Sequence, residues 1–159
     1  MTNKLVVYFS AEGTTAKVAK RLADTVNADL FEIKPQIPYT AADLKWMNPL
    51  ARCNREKFGK KDVPIENTID RFSDYDVLFI GFPIWYYGAP NIIQTFLKRY
   101  DFSGKKLALF ATSGGSDIGK TEAKLTPFLN GKGKIVAARL FQPDVTEDEL
   151  LKWGNSIME

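Results

Sequence analysis

At 159 residues, 45% hydrophobic and 26% charged, the chain is long enough for one ordinary globular domain with a sizeable core. It holds one cysteine, Cys53, and no histidine, which excludes an internal disulfide and any histidine-based triad and leaves a zinc site almost without ligands. A net charge of +3, with the lysines spread along the chain, concentrates no basic surface for nucleic acid, and no stretch approaches the roughly 20 apolar residues that span a bilayer.

The first apolar run, Leu5 to Phe9, lacks a small-residue cleavage site beyond it and reads as a core strand of a cytoplasmic protein. Val18, Ala19, Leu22, Ala23 and Val26 then recur at helical spacing. Leu30 to Ile33, interrupted by Glu32, has the look of an edge strand. The stretch from Pro35 to Glu66 breaks the rhythm with Pro38, Pro49, Pro64 and the charged run Arg55 to Asp62. It reads as a second crossover enlarged into a partly helical excursion. Val77 to Ile80 is the third strand. Ile92, Ile93, Phe96, Leu97 and Tyr100 form the next helical stripe, with Pro90 in its first turn and Gly104 beyond its end. Leu107 to Phe110 is the fourth strand. Thr121 to Leu129 is a weaker helix that Pro127 should disturb, and Ile135 to Ala138 is the fifth strand. The last helix opens on a capping box, Thr146 to Glu149, with acids at the positive end of the dipole, and turns Leu150, Leu151, Trp153 and Ile157 to the core.

Strands that are apolar on both faces belong in a parallel sheet covered by helices on both sides. Five of them alternating with helices predict a doubly wound α/β fold with right-handed crossovers. Ligands in such sheets bind outside the carboxyl ends of the strands, where the strand order reverses. If the order is 2-1-3-4-5, the loops after strands one, three and four meet at one crevice.

Those loops have unusual composition. In the first, Ser10, Thr14 and Thr15 flank Gly13 directly before a helix, which suits an anion held by backbone N–H groups. It contains no Lys or Arg, Lys17 being the nearest cation, and the hydroxyls are equally the residue types that simply cap helices. The second, Pro83 to Gly88, strings Trp85, Tyr86 and Tyr87 in succession. Consecutive rings cannot all point inward, so at least one is offered to a flat ligand or to a contact surface. The third, Thr112 to Ser116, contains Gly114 and Gly115, which let a ring edge approach the backbone.

Taken together, the strand YFS with AEGTTAKVAKRLA, then IGFPIWYYGAPNIIQTFLKRYDFSGKK, then ATSGGSDIG, resemble the flavodoxin family nearly end to end, and more closely its short-chain bacterial flavodoxin-like branch. The resemblance implies a non-covalently bound FMN. It implies that Ser10, Gly13, Thr14 and Thr15 wrap the phosphate, that Pro83, Ile84, Trp85 and Tyr86 stack on the isoalloxazine ring, and that Thr112, Ser113, Gly114 and Gly115 border its pyrimidine side. The chain departs from the family pattern in three ways. Glu12 stands where a hydroxyl is usual and is expected to point to solvent. The chain is basic where electron-carrier flavodoxins are typically acidic. The second crossover, with Trp46 and Cys53, is larger than in simple carriers. It is expected to lid the flavin or shape a substrate pocket, with Trp46 open between that and the core, and Cys53 structural.

Residues Gly114 to Thr121, GGSDIGKT, also match the phosphate-cradling pattern G-x-x-x-x-G-K-[ST] after a strand. The match lies late in the chain with one strand after it, and the strand Ile135 to Leu140 ends in Arg139-Leu140 with no acid for Mg²⁺, so a nucleotide triphosphatase is not expected. The expected function is electron transfer through FMN, with an FMN-dependent NAD(P)H or quinone reductase as the alternative and a non-redox binding module behind it. The expected partners are a redox protein or a small electron donor or acceptor, with no nucleic acid or membrane, and the chain is expected to be a monomer or homodimer.

Overall fold

A computed structural model describes residues 3–45, 47–48, 50–58, 62–85, 88–112, 118 and 120–158. Its sheet contains β1 (Lys4–Tyr8), β2 (Asp29–Glu32), β3 (Val77–Pro83), β4 (Lys106–Thr112) and β5 (Lys134–Phe141) in the order β2-β1-β3-β4-β5. Every neighbouring pair is parallel. The strand order reverses between β1 and β3, as the sequence reading requires for a crevice there.

Because side chains alternate across a strand, the central strands feed two separate cores. Leu5, Val7, Leu78, Ile80, Leu107 and Leu109 face one side, where α3 (Asn91–Arg99) contributes Ile92, Ile93, Phe96 and Leu97. Val6, Tyr8, Val77, Phe79, Ala108 and Phe110 face the other, against α1 (Thr14–Val26) and α5 (Glu147–Met158). α4 (Thr121–Leu125) continues into a 3₁₀ turn, Thr126–Leu129, where Pro127 interrupts it. Thr146 caps α5 as expected, with the Glu149 N–H donating to Thr146 Oγ1 at 3.2 Å.

Three details differ from the sequence expectation. Leu151 is 40% exposed, and Gly154 takes the core-facing place beside Trp153, letting α5 close onto Val26 of α1. Pro90 is the N-cap of α3 rather than a residue of its first turn. β5 is not apolar on both faces, because it is the second edge strand of the sheet, and Val136 is exposed.

The segment between β2 and β3 is an excursion, as expected. It is pinned at its base where Pro35 pairs with Ile65 and where the N–H groups of Gln36 and Glu66 donate to Pro64 O and Lys34 O, at 3.0 and 2.7 Å. It contains a 3₁₀ turn at Ala42–Leu44 and α2 (Arg52–Phe58), on which Cys53 is buried. Trp46 lies outside the described residues.

Gly81 of β3 sits opposite Phe110 of β4, and a Cβ added there would fall within the Phe110 ring. The aromatic ring fills the place of the missing side chain, so Gly81→Ala is an overpacking change. It is expected to destabilise the protein by about 1–3 kcal/mol, read as a lower urea midpoint at unchanged slope. A midpoint equal to wild type would mean that the ring yields freely.

Candidate functional site

Beyond β1 the chain turns through Ser10 to Gly13 into α1. The Gly13 N–H donates to Ser10 Oγ at 3.0 Å, and Gly13 takes φ 94 and ψ −12, a left-handed conformation that favours glycine. Ser10 therefore closes the turn and does not cap the helix. Gly13 is itself the N-cap, no side chain caps α1, and nothing lies within 4 Å of the place a Cβ would occupy. The opening N–H groups of α1 keep the positive end of the helix dipole with no carboxylate in its first turn. This arrangement suits an anion and decides against the reading of these hydroxyls as ordinary caps. Glu12 is exposed.

Thr14 is half-buried at the first helical position, whereas Thr15 is buried. The Thr15 hydroxyl lies 2.7 Å from that of Thr112, at the end of β4, in a buried hydrogen bond. The Ile84 N–H donates to Thr112 O at 2.9 Å. Thr112 thus joins all three loops at their roots. Thr15 ties the phosphate-type loop to the loop after β4, and Ile84 ties in the loop after β3.

After Pro83, Trp85 and Gly88 exchange backbone hydrogen bonds of 2.8 and 3.1 Å, so the loop doubles back on itself. The Trp85 ring is half-buried and held edge-on by two others. Its centroid lies 5.8 Å from Phe9 at 87° and 5.5 Å from Tyr39 at 82°. Such pairs add roughly 0.5–1.5 kcal/mol each beyond the area they bury. Of the expected site residues, the structure brings Ser10, Gly13, Thr14, Thr15, Pro83, Ile84, Trp85 and Thr112 to one end of the sheet. Tyr86, Ser113, Gly114 and Gly115 lie outside the described residues, as does most of the GGSDIGKT stretch. Of that stretch, Thr121 is fully buried and its hydroxyl donates to Ile118 O, so it is committed to the protein and not to a Mg²⁺ ion.

The sequence reading missed Tyr39. With Ala11 and Glu12 of the first loop and Leu44, Lys45 and Met47 of the excursion, it lines a pocket of about 830 Å³ beside the crevice. Burial pushes its phenol well above the ordinary tyrosine pKa, and its hydrogen bond to Glu56 pushes in the same direction, so Tyr39 stays a neutral donor. One aromatic in a proline-bearing coil carries no local signal of this role, since its partners are Trp85 and Glu56, both distant in sequence.

The family model for flavodoxin matches residues 3–157. A candidate flavoprotein from Bacteroides eggerthii is 38% identical, with 100% of this chain and 99% of that one covered and a TM-score of 0.91. One from Bacteroides uniformis is 37% identical over 97% of this chain and 98% of its own, with a TM-score of 0.88. A flavoprotein from Lactobacillus acidophilus, solved in complex with FMN, is 23% identical over 97% of this chain and 99% of its own, with a TM-score of 0.72, a likeness of fold. No curated protein matches the sequence.

The Thr15–Thr112 bond is open to test. Thr15→Val leaves the buried Thr112 hydroxyl without its partner and is expected to cost about 1–3 kcal/mol. The double variant Thr15→Val/Thr112→Val, which removes both hydroxyls, should recover most of that loss in urea unfolding. Losses that simply add would locate the damage in packing instead.

Proposed function

This chain belongs to the flavodoxin family, and from that premise we propose that it binds FMN in the crevice above β1, β3 and β4 and passes electrons through it. The observation that carries the proposal is the start of α1, a left-handed Gly13 with open space at its Cβ, leading into a helix that no side chain caps. A phosphate there is held by neutral backbone donors and the helix dipole, without an arginine or lysine in the loop. Ser10 holds the turn in shape through the Gly13 N–H. Trp85, fixed by Phe9 and Tyr39, supplies an aromatic surface for the flavin ring. The Thr15–Thr112 bond keeps the two ends of the crevice at a set distance.

When bound, FMN supplies the redox chemistry through its ring, so the protein's own work is binding, orientation and the exclusion of water. That fits a chain without histidine, which offers no general base titrating near neutral pH. The net charge of +3 favours an acidic redox protein as partner, because charge complementarity steers such encounters. We place this activity in the cytoplasm; no helix among the described residues is long and apolar enough to cross a membrane.

The pocket beside the crevice favours a second reading, an FMN-dependent reductase that uses NAD(P)H or a quinone. Tyr39, Leu44 and Met47 give it an apolar wall adjoining the first loop. Rapid oxidation of NADPH with a quinone present would identify a reductase. Its absence in a flavin-loaded protein would identify a carrier.

The first test is the visible absorption spectrum of the protein after loading with excess FMN and removing what does not bind. A retained flavin spectrum with quenched fluorescence is expected, and Trp85→Ala should weaken FMN about tenfold, the equivalent of roughly 1.4 kcal/mol. A protein that retains no flavin overturns the proposal.

A further inference from the structure

The second crossover carries an organised cluster aimed at the crevice. Tyr39 lies in an irregular stretch, yet its ring is fixed from several directions. The Tyr39 hydroxyl donates to Glu56 Oε1, and the Arg52 guanidinium carbon lies 4.0 Å from its ring centroid. Arg52 Nε donates to Glu56 Oε2 at 2.9 Å, one helical turn away on α2, which orients the carboxylate toward the tyrosine. Arg52 Nη1 also donates to Ile37 O at 2.7 Å and to Pro38 O at 3.2 Å, holding the backbone that leads into Tyr39. The Arg52 and Glu56 side chains are only 14% and 15% exposed, so their pair is more firmly set than a surface ion pair.

The cluster also reaches the far end of the Trp85 loop. Asn91, the first residue of α3, donates through Nδ2 to the backbone carbonyl of Glu56 at 2.6 Å. Glu56 therefore holds the loop from both sides, through its carboxylate by way of Tyr39 and Trp85, and through its carbonyl by way of Asn91. A tyrosine that only closed the crossover onto the core would have no need to face the pocket that Ala11 and Glu12 share. Tyr39 does face it, and its ring also meets the Trp85 ring at 82° with 5.5 Å between centroids, so one side chain both lines the pocket and sets the orientation of Trp85.

We propose that Tyr39 is a wall of the flavin-ring site together with Trp85, and that Glu56 and Arg52 are positioning residues that act through it. The assignment rests on the FMN reading of the crevice. It makes the enlarged crossover a working part of the site. It also sets this site apart from one walled only by the loops after the strands. Tyr39 remains a neutral donor and keeps its hydroxyl proton for Glu56.

The test compares FMN with riboflavin, which carries the same ring without the phosphate, by titration of the apoprotein and by the visible circular dichroism of the bound flavin. Tyr39→Ala should weaken both ligands by the same factor, about tenfold, and alter the dichroism of whatever flavin binds. Ser10→Ala, which acts at the phosphate turn, should weaken FMN and leave riboflavin unchanged. Tyr39→Phe, which keeps the ring, should restore most of the affinity lost in Tyr39→Ala. Glu56→Gln, which keeps the bulk but weakens the hold on the hydroxyl, should cost a few-fold with the same equal effect on both ligands. These two conservative variants carry the test if Tyr39→Ala does not fold. Wild-type affinity and dichroism in folded Tyr39→Ala or Glu56→Gln would overturn the assignment while leaving FMN binding intact. So would a loss confined to FMN, since that places the effect at the phosphate. A wild-type protein that binds neither flavin overturns the functional reading and this assignment with it.

Discussion

The burial of β1, β3 and β4 on both faces is the constraint from which the rest of the architecture follows. A strand that is apolar on both sides must be covered on both sides, so the connections are divided between the two faces of the sheet. Right-handed crossovers then send α1 one way and the second crossover and α3 the other. The reversal between β1 and β3 is where those directions part, and the chain leaves an opening above it. The loops after β1, β3 and β4 meet because three strands buried on both faces over most of their length have to be neighbours.

Within that opening, the buried hydroxyl pair of Thr15 and Thr112 does for the loops what the ladder does for the strands. Both groups are out of water, so each needs the other, and the cost of leaving either unpaired makes their spacing stiff. Thr15 lies in the first turn of α1 and Thr112 ends β4, so the bond fixes the start of the helix against the end of that strand. The backbone of Trp85 is tied to Gly88, and its ring is oriented by other rings. Edge-on contacts with Phe9 and Tyr39 set its orientation while leaving the indole half-exposed.

The electrostatics of the site are local and dipolar. No cation stands in the first loop, and an anion there relies on the opening turn of α1. Positive charge is carried by residues such as Arg55 of the excursion and Lys17 and Lys20 of α1, while Lys45 lines the pocket beside the crevice. Ligand binding and partner choice are thereby separable, because changing surface lysines alters steering without touching the donors at the helix start. The exception is Arg52, whose charge is drawn inward to Glu56 and the Tyr39 ring.

The strands, their parallel arrangement, the stripes of α1 and α3 and the Thr146 cap of α5 were legible in the sequence, because each rests on residues close in the chain, as an apolar run, a 3.6 period or a capping residue. So was the position of the three loops at the ends of β1, β3 and β4, since the apolar runs mark where those strands stop. The exposure of Leu151 and of Val136 on β5 was not legible, as both depend on which neighbour a face receives. Nor was it decidable whether Ser10 and its fellow hydroxyls cap a helix or shape a turn. The same residues serve both purposes, and only the left-handed Gly13 with its N–H on Ser10 separates them. Tyr39 is the clearest case, an unremarkable residue in a proline-bearing segment whose role comes from Trp85 and Glu56. Local pattern determined what the elements are. Tertiary structure alone decided which side chains meet above them, because those contacts join residues whose separation along the chain follows no period.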